Sequence, residues 1–140
     1  MQKDTLDGIL KYLNSTGKMS YIEGATTGQI EEFEVAHDIT LPKDYKVWLQ
    51  FSDGGECYLP AGAQFYGVAH KPIIDTGDGS RPNEDYIVIG ALATGDPILC
   101  QKNGDEISIY NQEEDRIEDD ERYRNFFLFL MDLRCIVGAE

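Results

Sequence analysis

The reactive side chains of this chain are two histidines, three cysteines and a large surplus of carboxylates. Acyl transfer of the Ser-His-Asp kind needs a serine on a tight elbow, and no Gly-x-Ser-x-Gly run occurs. Cys57 and His70 could form a nucleophile and base if the thiol pKa were lowered and the ring lay within hydrogen-bond reach. Their separation of thirteen residues neither demands nor forbids contact. His37 falls at the end of an expected helical face, where a core or capping role is the ordinary reading, and His70 follows an expected strand as an exposed strand-end residue. The segment Asp75 to Ser80 carries acids and glycines, but an EF-hand needs its glycine at the sixth position and a glutamate at the twelfth. Gly77 stands only two residues after Asp75, so turn chemistry explains the segment better. No Cys-x-x-Cys pair, Gly-x-Gly-x-x-Gly run or Gly-x-x-x-x-Gly-Lys-[Ser/Thr] loop is present. Carboxylates are abundant, but without apolar surroundings they describe a solvated face rather than tuned acid and base groups. No catalytic residue, metal or cofactor is therefore expected.

Charge is the unusual quantity. Twelve Lys and Arg stand against 26 Asp and Glu, a formal net charge of −14 over 140 residues. Such a field opposes nucleic acid phosphates and anionic lipid, and steers cationic partners inward. Solubility alone is the competing explanation. Nine acids and one base, Arg116, lie between Asp105 and Glu121. Cys100 and Cys135 sit in apolar company and read as buried thiols, which fits a reducing compartment. Residues 1–17 lack a signal-like apolar run, and Ile87 to Ala93 is too short to span a bilayer, so a cytoplasmic location is the expectation.

The elements that must position these groups follow from periodicity. Leu6, Ile9, Leu10 and Leu13 mark one face of a helix over Thr5 to Asn14, with Asp4 as its cap and Gly17 as its stop. Thr26 and Gln29 have the spacing of a capping box for a helix from Gly28 to His37, with Ile30, Phe33 and His37 facing inward. Leu41-Pro42 opens a third helix carrying Tyr45, Trp48 and Leu49, and Gly54-Gly55 ends it. Short strands are expected near Tyr58 and over Phe65 to Ala69, a loop over Asp75 to Pro82, and longer strands over Asp85 to Ala91 and Ile98 to Lys102. Asn103-Gly104 between apolar runs is a hairpin turn. A further strand near Asp115 to Ile117 gives way to a loop, and Asp120 caps a last helix from Glu121 to Cys135 lined by Tyr123, Phe126, Phe127, Leu130 and Met131. Tyr45, Trp48, Phe51, Phe126 and Phe127 are core aromatics rather than a ligand cage. Helices first, then strands, then a helix, points to the α+β class in one domain over residues 1–140.

Ile30-x-x-Phe33-Glu34, Leu41-Pro42-x-Asp44-Tyr45-Lys46-x-Trp48-Leu49 and Asp53-Gly54-Gly55, in that order, resemble the signature of the SUKH superfamily. The blocks Tyr86 to Gly90 and Gly95 to Ile98, with the aromatic helix around Phe126 and Leu130, extend the resemblance over residues 26–133. That superfamily holds bacterial toxin-immunity proteins and the fungal regulators of cell-wall glucan synthesis. The resemblance implies a single bent, mostly antiparallel sheet flanked by N-terminal helices and a C-terminal helix. It also implies work by protein binding, against a basic toxin domain of a kind that is often a nuclease, or within a regulatory complex. Glu113, Glu114, Asp115, Glu118, Asp119 and Asp120 are the expected contact residues, the bland alternative being a solvated loop. An enzyme using a cleft beside the sheet is the third class, and no residue pattern asks for it.

Overall fold

In the computed structural model, residues 2–59, 62–75, 86–101 and 104–137 are described, with side chains described except at 2–4 and 118–121. Helix α1 (Gln2–Thr16) buries Leu6, Ile9 and Leu13 and ends as the Gly17 N–H donates to the Leu13 carbonyl at 3.1 Å. It begins at Gln2, so Asp4 lies within its first turn instead of capping it. Helix α2 (Thr27–His37) has the full capping box: Thr26 Oγ1 accepts from the Gln29 N–H at 3.0 Å, and Gln29 Oε1 accepts from the Thr26 N–H at 2.9 Å. Ile30 and Phe33 face the core, whereas His37 is exposed, its ring 4.3 Å from that of Phe33. Helix α3 (Lys43–Phe51) has Pro42 at its N-cap position and buries Tyr45, Trp48 and Leu49. Gly54 and Gly55 follow with φ of 114° and 108°, a turn that a residue with a Cβ makes only under strain.

Among the described residues six strands follow: β1 (Gly55–Cys57), β2 (Ala63–Phe65), β3 (Tyr86–Leu92), β4 (Pro97–Gln101), β5 (Ile107–Asn111) and β6 (Arg116–Tyr123). They form one sheet in sequence order, every neighbouring pair antiparallel. The strand expected over Phe65 to Ala69 ends at Phe65, and Gly67 to His70 curl away toward Asp53. Cys100 pairs with Ile107 and Ile98 with Ile109, the register that centres the β4–β5 connection on Asn103-Gly104. Asn103 itself and most of the loop expected over Asp75 to Pro82 lie outside the described residues. The β3–β4 pairing shifts register between Val88 and Gly90, and the β5–β6 pairing between Ser108 and Tyr110; bulges of this kind bend a sheet.

The last helix, α4 (Phe126–Ile136), begins five residues later than the acidic run suggests. Asn125 is its N-cap, with Oδ1 accepting from the Leu128 N–H at 2.9 Å, and Asp120 belongs to β6. Pairing at both ends of β6, Ile107 to Tyr123 and Asn111 to Arg116, holds the acids in a strand despite their low β propensity. Phe126, Phe127, Phe129, Leu130 and Leu133 are buried, while Met131 is turned outward at 45% exposure. Cys135 is exposed and not the buried thiol its apolar neighbours suggest, because it falls on the outer face of α4; Cys57 and Cys100 are the buried pair.

The core lies between one face of the sheet, carrying Ile87, Ile89, Ile98, Cys100, Ile107 and Ile109, and helices α1, α3 and α4. Trp48 is its centre. Its ring meets Tyr21, Phe65 and Phe126 edge-on at 6.0, 5.6 and 5.8 Å, the orientation favoured by aromatic quadrupoles. Its Nε1–H donates to the Gly54 carbonyl at 2.9 Å, so the one polar atom of the indole is satisfied where it is buried. Phe51, grouped with these aromatics by spacing, is 38% exposed at their edge.

Candidate interaction surface

Beneath the surface, Asp53 is the carboxylate among the described buried polar residues, beside Ser52 and Ser108. Its side chain is fully buried, yet Oδ1 accepts from the Val68 N–H at 2.7 Å and Oδ2 from the Ala69 and His70 N–H groups at 2.9 and 2.8 Å. The His70 ring adds a fourth contact, Nδ1 to Oδ2 at 2.9 Å. A carboxylate can be buried when its lone pairs are filled in this way. Backbone approach is close: a Cβ on Gly67 would stand 2.5 Å from Asp53 Oδ1, so only glycine fits there.

This Asp–His pair has the outline of a base, and Cys57 is not set up as its nucleophile. Burial pushes the Cys57 thiol up to about 12, so it stays protonated and unreactive at neutral pH. The His70 ring is turned to Asp53 and not to Cys57. Burial also pushes the Cys100 thiol up. Among the described residues no group of three or more His, Cys, Asp or Glu could hold a metal ion. Asp53, which sequence reasoning missed, clamps the segment 68–70 through its backbone amides. Its only sequence trace is an aspartate before two glycines, because its partners are backbone amides 15 to 17 residues away.

The expected contact residues divide into two groups. Glu113, Glu114 and Asp115 are exposed at the tip of the β5–β6 hairpin, in the turn that joins the strands. That tip is held by local bonds: Asn111 Oδ1 accepts from the Glu114 N–H at 3.0 Å, Asp96 Oδ1 from the Gln112 N–H at 3.2 Å, and the Tyr110 hydroxyl donates to the Asp115 carboxylate. This last bond raises the Tyr110 pKa above its ordinary value. Glu118, Asp119 and Asp120 lie on β6, the edge strand of the sheet. Between the Ser108–Arg122 and Tyr110–Ile117 pairs, β5 contributes only Ile109 whereas β6 contributes Glu118 to Glu121. The acids therefore sit on a bulged, edge-lying segment beside an acidic turn. Charge and bulging on an edge are also how sheets avoid pairing with one another, and the segment satisfies that role too.

A second exposed acidic area lies along α2 and at its C-cap. Glu31, Glu32 and Asp38 are exposed there around Val35, which is 81% exposed. No helix among the described residues is long and apolar enough to cross a membrane. Compared with known families, residues 24–132 match the one described as SMI1 / KNR4 family (SUKH-1). No curated protein matches the chain.

Proposed function

The chain belongs to the SMI1 / KNR4 family (SUKH-1), and from that membership we propose that it is a non-catalytic protein-binding domain, an immunity protein that neutralises a cognate toxin by direct contact. The family covers immunity proteins and SMI1/KNR4 regulators, and its members act through protein–protein interaction. The observation that carries the reading is the net charge of −14, with Glu113, Glu114 and Asp115 exposed on a held turn. A toxin that cleaves nucleic acid must hold phosphates and is basic, so this field draws it in. Glu118, Asp119 and Asp120 extend the same contact edge. We read residues 1–140 as one domain, because α1, outside the family match, buries Leu6, Ile9 and Leu13 in the shared core, and we place its action in the cytoplasm. The family's description favours one other reading, a regulatory module of the SMI1/KNR4 kind without a toxin.

Co-expression with the C-terminal domain encoded by a neighbouring reading frame tests the proposal. Restored growth and a recoverable complex support it. Growth arrest despite soluble co-expression excludes neutralisation of that toxin, and a chain that associates only with the cell's own synthetic machinery supports the regulatory reading.

A further inference from the structure

The outer face of α2 pairs an apolar knob with a concavity. Val35 is 81% exposed, and a shallow groove of about 520 Å³ runs beside it, lined by Glu34, Val35, Asp38, Ile39 and Thr40. Valine is a poor choice for a solvent-facing helical position, where its branched Cβ loses rotamer freedom and its methyls gain no contact. Its platform is rigid. The capping box fixes one end of α2; at the other Asp38 adopts φ 53°, and the Ile39 N–H donates to the Glu34 carbonyl at 3.1 Å. The Glu34 carboxylate is engaged as well, accepting from the Leu41 N–H at 2.8 Å and pairing with Lys46 at 3.1 Å. A prearranged surface loses little entropy on binding.

Charge selects the occupant. Glu31 and Glu32 one turn before Val35, and Asp38 one turn after, ring it with carboxylates. A second copy of a −14 chain is repelled there, as is a nucleic acid. We propose that this face docks a cationic protein segment that seats one aliphatic or aromatic side chain against Val35 and places Lys or Arg beside Glu31, Glu32 and Asp38. The proposal rests on the reading of the partner as a basic protein and adds the anchor. The hairpin tip, residues 112–116, is polar throughout, so it can accelerate encounter but offers no apolar surface to hold what arrives.

The test uses the full-length chain labelled with nitrogen-15 and three synthetic peptides: an amphipathic helix of Lys and Leu, the same length of Lys and Gly, and an acidic helix of Glu and Leu. With the Lys/Leu peptide, amide shifts are expected to concentrate in residues 31–40, with the Lys/Gly peptide binding about tenfold more weakly, the order expected from losing one buried aliphatic group, and the acidic peptide not binding. Val35→Ser is expected to weaken Lys/Leu binding about tenfold for the same reason, with unfolding unaffected or slightly harder. Shifts confined to residues 112–116, equal binding of the Lys/Gly peptide, or unchanged binding by Val35→Ser would overturn the proposal. So would a dimer of the free chain that Val35→Ser dissolves. Failure of co-expression rescue leaves this result standing, and failure here leaves neutralisation through the hairpin standing.

Discussion

At the residue scale, Asp53 shows how a buried charge is kept when its environment is made of donors. Three amides and one imidazole nitrogen face its two oxygens, and removing the carboxylate strands those amides without partners. Each stranded donor costs about 1–3 kcal/mol, so Asp53→Ala is expected to lower stability by at least ~3 kcal/mol. Urea unfolding followed by fluorescence of Trp48, the one tryptophan, measures it. His70→Ala, which removes one contact from a partly exposed ring, is expected to cost less than ~1 kcal/mol by the same method. Equal losses for the two variants would show that the clamp is held by the imidazole and not by the amides. The sequence signals Asp53 only as the start of a turn, since main-chain donors carry no residue type. Val35 was equally silent, because a single valine on the outer side of a helix carries no signal of its own even where Ile30 and Phe33 mark the inner side. The acids at the hairpin tip were legible, as no apolar residue interrupts them. At that tip, if the proposed contact holds, replacing Glu113, Glu114 and Asp115 by Gln, Gln and Asn is expected to slow association with the proposed basic partner roughly tenfold at low salt, with a flatter salt dependence and little change in dissociation. Stopped-flow association across an ionic-strength series reads this directly, and an unchanged rate removes the tip from the encounter surface.

Among the elements, periodicity located what local chemistry decides and failed where pairing decides. The α2 capping box was plain from Thr26 and Gln29, because both bonds lie within four residues. The end of β6 was not, because Glu118 to Glu121 have the composition of a loop and are kept extended by β5 on either side. The two flanking pairs differ in register by three residues, an odd offset in which Arg122 still opposes Ser108 and Ile117 still opposes Tyr110. Deleting three residues from Glu118–Glu121 brings the pairs into one continuous ladder with both flanks on their present faces. Such a deletion is expected to keep the far-ultraviolet circular dichroism of the parent and to change the thermal midpoint by no more than about 2–4 °C, the shift of ~1 kcal/mol in a domain near 150 residues. Loss of cooperative unfolding would mean that the bulge carries structure of its own.

For the whole molecule, the buried thiols and phenols set an alkaline limit. Burial raises Cys57 from 9.0 to about 12 and Tyr21 from 10.0 to about 12, and it raises Cys100 and Tyr45 in the same direction. The folded chain therefore keeps protons that the unfolded chain releases near pH 9 to 10. Stability is complete below that range and falls as pH rises toward 12. Urea midpoints measured from pH 8 to pH 11 should decline, and a Cys57→Ala chain, weaker at pH 8, should lose less of what remains. The α+β class was legible from the order of patterns alone, since helices that precede and follow an unbroken set of strands cannot build βαβ units. The centring of the core on Trp48 was not, because Phe65 and Phe126 reach it from segments far apart in the chain.

The looped-out stretch of β6 has a consequence for how such a chain can change over generations. Spare length stored at the rim of the sheet lets insertions, deletions and reversals of charge accumulate there without disturbing the aromatic centre. A lineage forced to keep pace with an altered opponent could redraw that margin while inheriting the same interior.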